Sequence, residues 1–293
     1  MVWRGGGVRI PARLAAWGVV ATLVGGVAGV ASAGTQPAAR GVAVTRAGIL
    51  PFRTGAAAQA AAGDLTYHGG YIQDHVAVYL VFWGSQWTSD TTGVQTYVTN
   101  FFTGLGTTAD AWSRVTSQYT GTGGAPTFTG PVLQGGWVDG ASAAPADATA
   151  ADIATEAERA AAHFGVAAGH NLSVIVLSPQ GTHPDGFPNS GWCAWHSSSP
   201  AGVPYTNLPY VLDAGASCGE NSVGGLLDGF SVVGGHEYAE TVTDPFPDTG
   251  WVDASGAENA DKCAWQNLHT IALPSGTFAV QPTWSNAIHG CDG

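Results

Sequence analysis

One histidine and two glutamates occur in this chain at a spacing that could bind a metal ion. They belong to the segment His236-Glu237-Tyr238-Ala239-Glu240, with the pattern H-E-x-x-E. If the segment is helical, His236 and Glu240 share one face and can converge on an ion from one rigid surface. Glu237 lies one position further round, where it could serve as general base toward a metal-bound water. The pattern predicts a metal-dependent hydrolytic site.

Acidic residues are concentrated around this motif. Seven of the 21 acidic residues lie between positions 237 and 261, and the next basic residue is Lys262. Such crowding is unfavourable unless a cation offsets it. Three alternatives stay open: zinc at the motif, calcium in the following loop, or a metal-free helix whose histidine and glutamates bond to one another. The calcium alternative would use Asp244, Asp248, Asp253 and Glu258.

The motif resembles the H-E-x-x-H helix of zincin metallopeptidases, with Glu240 in place of the second histidine. The segment Glu258-Asn259-Ala260-Asp261 is similar to the gluzincin pattern, in which a later glutamate is the third ligand and a nearby acid orients the first histidine. This resemblance implies zinc bound by His236, Glu240 and Glu258, with Glu237 as general base. It implies that Asp261, together with Asp244, supports the ligands. The expected function is a secreted zinc metallopeptidase acting on peptides or proteins.

A group that stabilises the transition state must come from elsewhere in the chain. Basic side chains are few, so a histidine or tyrosine is expected. The candidates are His196 and His289, with His269 and Tyr238 as further possibilities. A Met-turn metzincin is excluded because no methionine follows Met1.

Three short motifs resemble the plant EXORDIUM, or phosphate-induced, protein family. They are Thr243-Asp244-Pro245-Phe246, Val81-Phe82-Trp83-Gly84 with Trp87, and Cys193-Ala194-Trp195-His196. Secreted bacterial proteins with H-E-[YL]-A-E-[TA]-V-T-D-P look closer, because the plant pattern lacks H-E-x-x-E. The plant resemblance implies an alternative function, a non-catalytic extracellular module that binds cell-wall carbohydrate. Exposed tryptophans such as Trp192 or Trp195 would then form the sugar-binding surface.

The N-terminal region predicts export. Residues 1–33 have a basic start, an apolar stretch and the small-x-small sequence Ala31-Ser32-Ala33, which is typical of a cleaved signal peptide. A short membrane anchor is the alternative. Residues 34–63 are rich in Ala and Gly and contain arginines but no acid, so they indicate a disordered linker or a propeptide. The even cysteine count, Cys193, Cys218, Cys263 and Cys291, predicts two disulfides with three possible connectivities.

The charge distribution excludes several partners. Residues 64–293 contain three basic residues and all 21 acidic ones. Such a body cannot neutralise phosphates, so nucleic-acid binding is not expected, and neither is binding to an anionic membrane after signal removal. We expect a soluble extracellular monomer.

The remaining chain alternates strand and helix patterns, which predicts an α/β (α+β) fold: a single domain over 64–293 with a central mixed sheet, flanking helices and the motif helix. The predicted strands are 74–83, 172–177, 192–196 and 210–212, and 121–140 is expected to be extended. The predicted helices are 92–105, 111–119, 147–164 and 226–242.

Overall fold

The computed structural model describes Val2 and residues 44–54 and 63–293. The chain divides into two compact units, Met1–Arg40 and Gly41–Gly293, and the fold below is that of the second. Apart from Val2, the predicted signal peptide lies outside the described residues. Within the described ranges, no helix is long and apolar enough to cross a membrane.

A six-stranded mixed sheet crosses the unit in the order β1-β6-β7-β5-β3-β4. Strands β7, β5, β3 and β4 run parallel to one another, whereas β6 runs antiparallel to β7 and β1 runs antiparallel to β6. The sheet strands are β1 (Ala47–Pro51), β3 (Ala77–Trp83), β4 (Leu133–Asp139), β5 (Leu172–Leu177), β6 (Trp192–Ser198) and β7 (Pro204–Leu208). Every residue of β5 is buried, which explains its uninterrupted apolar sequence.

Short two-stranded ribbons complete the strand content. They pair β2 (Thr66–Tyr67) with β8 (Trp251–Val252), β9 (His269–Leu273) with β10 (Gly276–Val280), and β11 (Thr283–Ser285) with β12 (Gly290–Asp292).

Three α-helices accompany the sheet in the described residues: α1 (Val94–Gly104), α2 (Ala150–Phe164) and α3 (Asp228–Thr243). Helix α2 begins with a capping box between Thr149 and Asp152. All residues of α3 are buried, and the helix packs against β6, β7 and β10. Because α3 is enclosed on all sides, it positions its polar side chains inside the protein.

The predicted mixed α/β architecture is confirmed, with differences in detail. The strand expected at 210–212 is wrong, because Val211–Cys218 forms a 3₁₀ helix and β7 takes the adjacent place in the sheet. The short helix expected at 111–119 is a 3₁₀ helix over Ser113–Gln118.

Both predicted disulfides form, between nearest neighbours in sequence. Cys193–Cys218 joins β6 to the Val211–Cys218 helix, and Cys263–Cys291 joins the 3₁₀ turn Asp261–Cys263 to β12. Each bond closes a loop, of 25 and 28 residues in sequence separation, and stabilises by about 3 kcal/mol in the loop-entropy model. They fit an extracellular protein.

Residues 47–51 belong to the stretch expected to be a linker or a propeptide. They form β1, an edge strand that pairs with β6. The signal-peptide and propeptide assignments stay predictions.

Candidate metal centre

Helix α3 contributes three side chains to the candidate site. His236, Glu237 and Glu240 are each fully buried. The helix ends at Thr243, and Pro245 follows, a residue that cannot continue an α-helix. Gly234 and Gly235 allow the aromatic rings of Phe102 and Phe101 to pack closely against the helix, which holds α3 in the core.

Two other elements complete the cluster. Strand β6 contributes His196, which is fully buried. The segment after β8 contributes Glu258, which is 1 % exposed, and Asp261 at the start of a 3₁₀ turn. Disulfides anchor both elements close to the site, through Cys193 on β6 and Cys263 on the turn. The histidine of β6 therefore faces the motif helix from the sheet.

The described residues form two overlapping groups whose atoms could hold a metal ion: His236, Glu240 and Asp261, and His196, Glu237 and Glu240. In the first, His236 Nε2 is 3.0 Å from Glu240 Oε1 and 3.5 Å from Asp261 Oδ1. In the second, His196 Nδ1 is 3.3 Å from Glu237 Oε2 and 3.7 Å from Glu240 Oε2. Glu240 thus presents one oxygen to each group.

Glu258 belongs to neither group. Its Oε2 is 3.6 Å from His196 Nε2, so it contacts the sheet side of the cluster. Asp261 is closer to His236, and its backbone N–H also donates a hydrogen bond of 2.8 Å to Glu240 Oε1. In this geometry the donor beside His236 and Glu240 is Asp261, the residue that sequence comparison placed in a supporting role.

Several buried polar atoms of the cluster have no hydrogen-bond partner among the described residues. They include His236 Nδ1, Glu237 Oε1, Glu240 Oε2, both carboxylate oxygens of Glu258, and His196 Nε2. Buried polar groups in proteins are nearly always bonded, and an unpaired one is costly. The donors of this cluster are nitrogen and carboxylate oxygen, which are the atoms that bind zinc.

Burial and crowding shift the pKa values of the cluster. Burial, reinforced by Asp261, raises the pKa of Glu240 to about 7, and burial raises the pKa values of Glu237 and Glu258 well above the ordinary range. Burial lowers the pKa of His196 to about 4. Burial alone would lower the pKa of His236 as well, but the neighbouring carboxylates of Glu240, Asp261 and Glu237 together outweigh it and raise that pKa well above 6.5. A bound cation would favour the ionised carboxylates.

Strand β1 lies directly on this cluster. An ideal Cβ at Gly48 would be 2.0 Å from Glu240 Oε2 and 2.4 Å from His196 Nδ1, so the main chain of β1 touches both side chains. Leu50, two residues further along β1, is fully buried. Nothing in the sequence pattern of residues 34–63 indicated this contact.

Other sequence candidates lie elsewhere. His289 is an exposed residue whose Nδ1 is 2.9 Å from Asp64 Oδ2. His269 bonds to the carbonyl of Asn267, and Tyr238 packs against Trp112. The Asp244 side chain accepts hydrogen bonds from the backbone of the turn after α3, so it shapes that turn.

Burial and hydrogen bonding bear on two alternatives to a zinc site, a sugar-binding surface and a calcium-binding loop. Trp195 is fully buried and Trp192 is 8 % exposed, so neither offers an open ring face to a sugar. In the loop proposed for calcium, Asp253 already accepts bonds from Ser255, Ala257 and Lys262. Among the described residues, the loop carboxylates Asp244, Asp248 and Asp253 belong to neither metal-binding group.

Comparison of the chain with protein-family models, with curated proteins and with solved structures finds no match.

Proposed function

We propose that this protein is a zinc-dependent hydrolase of peptides or proteins, with zinc held by His236, Glu240 and Asp261 and with Glu237 as general base. The observation that supports it best is the convergence of His236, Glu240 and Asp261, from a helix and a disulfide-anchored turn, within reach of one ion. The two disulfides also fit an extracellular enzyme.

The distances support this ligand set. Ligand atoms about 2.0–2.1 Å from a tetrahedral zinc lie about 3.3 Å from each other. The observed separations of His236 Nε2 from Glu240 Oε1 and from Asp261 Oδ1 are 3.0 and 3.5 Å. Three protein ligands leave one position open, which is the arrangement of catalytic rather than structural zinc. The ligand set differs from the expected one in its third member, Asp261 in place of Glu258.

The side chains around the ligands provide the rest of the chemistry. Zinc would supply a Lewis acid that makes water nucleophilic near neutral pH. Glu237 would accept the proton of that water and deliver it to the leaving amine. His196, 3.3 Å from Glu237, is neutral at pH 7 because burial lowers its pKa. A neutral imidazole still carries one N–H, which can stabilise negative charge developing on the substrate.

Metal analysis and matched variants test the assignment. Wild-type protein should contain about one zinc per chain after exhaustive dialysis against metal-free buffer. Glu237→Gln should retain zinc and lose about 10²- to 10⁴-fold in turnover of a peptide substrate. Retained turnover in that variant would rule out Glu237 as the base.

The third ligand is decided by a second pair of variants. Asp261→Asn should lose zinc, whereas Glu258→Gln should keep it, because only Asp261 lies beside His236. Loss of zinc from Glu258→Gln with retention in Asp261→Asn would restore the ligand set implied by the gluzincin resemblance.

A further inference from the structure

The edge of β6 beside the candidate metal centre is covered by β1. Ala47 pairs with His196 and Leu50 pairs with Ala194, so two residues of β1 oppose one residue of β6 between these pairs. The extra residue forms a bulge, which pushes the main chain of β1 toward the site. A strand added along a free edge is a common way for a protein to bind an extended peptide.

The bulge fits the site closely because of Gly48. Its φ of +50° belongs to the left-handed region, and a Cβ there would lie 2.0 Å from Glu240 Oε2. The same Cβ would lie 2.4 Å from His196 Nδ1. The main chain of β1 therefore occupies the space beside Glu240 and His196, where a peptide substrate would have to bind.

Charge holds the strand in place. Residues 44–54 contain Arg46 and Arg53 and no acid, while the body they pack on is strongly acidic. Arg46 makes a bidentate pair with Asp185, with N–O distances of 2.6 and 2.7 Å. At the N-terminal end of the strand, a cleft of about 320 Å³ lined by Thr45, Ser198 and Phe246 extends the groove beyond β1.

We propose that residues 44–54 are a displaceable inhibitory strand, bound in the groove where an extended peptide substrate pairs with β6. That a substrate binds in this groove rests on the proposed hydrolase function. That the strand can be displaced from the groove does not depend on it. Removal of the strand would uncover Glu237, His196 and the outer oxygen of Glu240. It would also open the buried pocket of Leu50, which could receive an apolar side chain of the substrate.

Limited proteolysis of the full chain can release the strand. Arg53 and Thr54 are exposed at its C-terminal end, so trypsin should cut there. The matched variant Arg53→Gln should resist this cut. After the cut, the fragment ending at Arg53 should dissociate on dilution, while the near-ultraviolet circular dichroism of the body persists. Unfolding of the body when the strand is removed would overturn the proposal, since the strand would then be an integral part of the fold.

Rebinding tests the fit without requiring activity. A fluorescent peptide with the sequence of residues 44–54 should bind the cut protein, as measured by anisotropy. The same peptide with Gly48→Val should bind at least about tenfold more weakly because of the clash with Glu240, whereas the control Ile49→Val should bind as the parent does. Ile49 is 42 % exposed, so it tolerates the change. Equal binding of the Gly48→Val peptide would overturn the proposal.

Activity measurements distinguish a failure of this proposal from a failure of the proposed hydrolase function. The cut protein should hydrolyse an oligopeptide substrate at least about tenfold faster than the uncut chain, and added 44–54 peptide should inhibit competitively. Hydrolysis that is unchanged by cutting would overturn the inhibitory role. If the peptide rebinds with the expected Gly48 dependence but no form hydrolyses any peptide, the hydrolase assignment fails and the displaceable strand stands.

Discussion

Asp253 and Glu258 are five residues apart and both are buried, yet their surroundings are opposite. Asp253 Oδ1 accepts bonds from Ser255 N–H and Ala257 N–H, and its Oδ2 pairs with Lys262 Nζ at 3.1 Å. Neither Glu258 oxygen has a hydrogen-bond partner among the described residues. Burial alone would raise the pKa of Asp253, but its bonds outweigh burial and lower the pKa to about 2, whereas burial raises that of Glu258.

The difference distinguishes an acid that the fold compensates from an acid of the candidate site. Asp253 is compensated by the protein itself, so its negative charge stabilises the loop after β8. In the described part of the chain, Glu237, Glu240 and Glu258 form ion pairs with His196 and His236. A positively charged ligand would therefore stabilise the ionised form of the carboxylates in this cluster. The same region of sequence, rich in acids, thus contains both a completed ion pair and a candidate metal centre.

The largest expected effect comes from breaking the completed pair. Lys262→Met removes a fully buried cation that contacts Asp253 and lies 4.2 Å from the centre of the Trp284 ring. We expect the free energy of unfolding to fall by about 3–5 kcal/mol, because the buried Asp253 charge loses its counter-ion. Urea unfolding measures this decrease in the free energy of unfolding. Arg53→Met is the control for the loss of one exposed positive charge. A decrease below about 1 kcal/mol would show that the Asp253 hydrogen bonds suffice alone.

Zinc should stabilise the cluster. At a free zinc concentration 100-fold above the dissociation constant, the free energy of unfolding of metal-free protein should rise by about 2.7 kcal/mol. Thermal unfolding with and without zinc measures it. Asp261→Asn should show little of the increase because it removes a proposed ligand, and an undiminished increase in that variant would place zinc elsewhere.

The pH dependence of Asp253 gives the next effect. Its folded pKa of about 2 is below the ordinary value of 3.8, so its stabilisation is present above pH 4 and lost as pH falls toward 2. The free energy of unfolding of the wild type should exceed that of Asp253→Asn by about 2 kcal/mol at pH 6, and this difference should vanish near pH 2. Urea unfolding of both proteins between pH 2 and 6 tests this, and a constant difference would contradict it.

Glu258→Gln should act in the opposite direction. Its folded pKa is raised, so wild type keeps a proton that the unfolded chain releases above pH 4.5, and stability declines as pH rises. In metal-free protein at pH 8, the glutamine variant should be more stable by about 1 kcal/mol or more. Glu220→Gln, at a half-buried position outside the cluster, is the control. Destabilisation by Glu258→Gln would mean that the ionised carboxylate is already compensated.

Local patterns predicted much of this molecule. The sequence predicted the three α-helices, the two disulfides and the strands β3, β5 and β6. Apolar periodicity and cysteine count can be recognised in the sequence without knowledge of the fold. The placement of His236, Glu237 and Glu240 on one helix followed from the i, i+4 spacing. The strand expected at 210–212 failed because a short apolar run does not distinguish a strand from a helical turn.

The rest of the site required long-range packing. His196 was one of four candidates for the group that stabilises the transition state, and only the antiparallel placement of β6 beside β7 brings its Nδ1 to 3.3 Å from Glu237 Oε2. Asp261, and not Glu258, lies beside His236 because the 3₁₀ turn points Asp261 toward that histidine. The contact of Gly48 with Glu240 joins residues 192 positions apart, for which no local signal exists.

The sequence by itself determined the four cysteines, the acidic body and the H-E-x-x-E spacing, since these depend on residue types and near-neighbour positions. Tertiary structure alone decided which carboxylates are compensated, which acid lies beside His236, and that residues 47–51 cover the site. The physical reason is that compensation and access depend on atoms brought within a few ångströms by packing, whatever their separation along the chain.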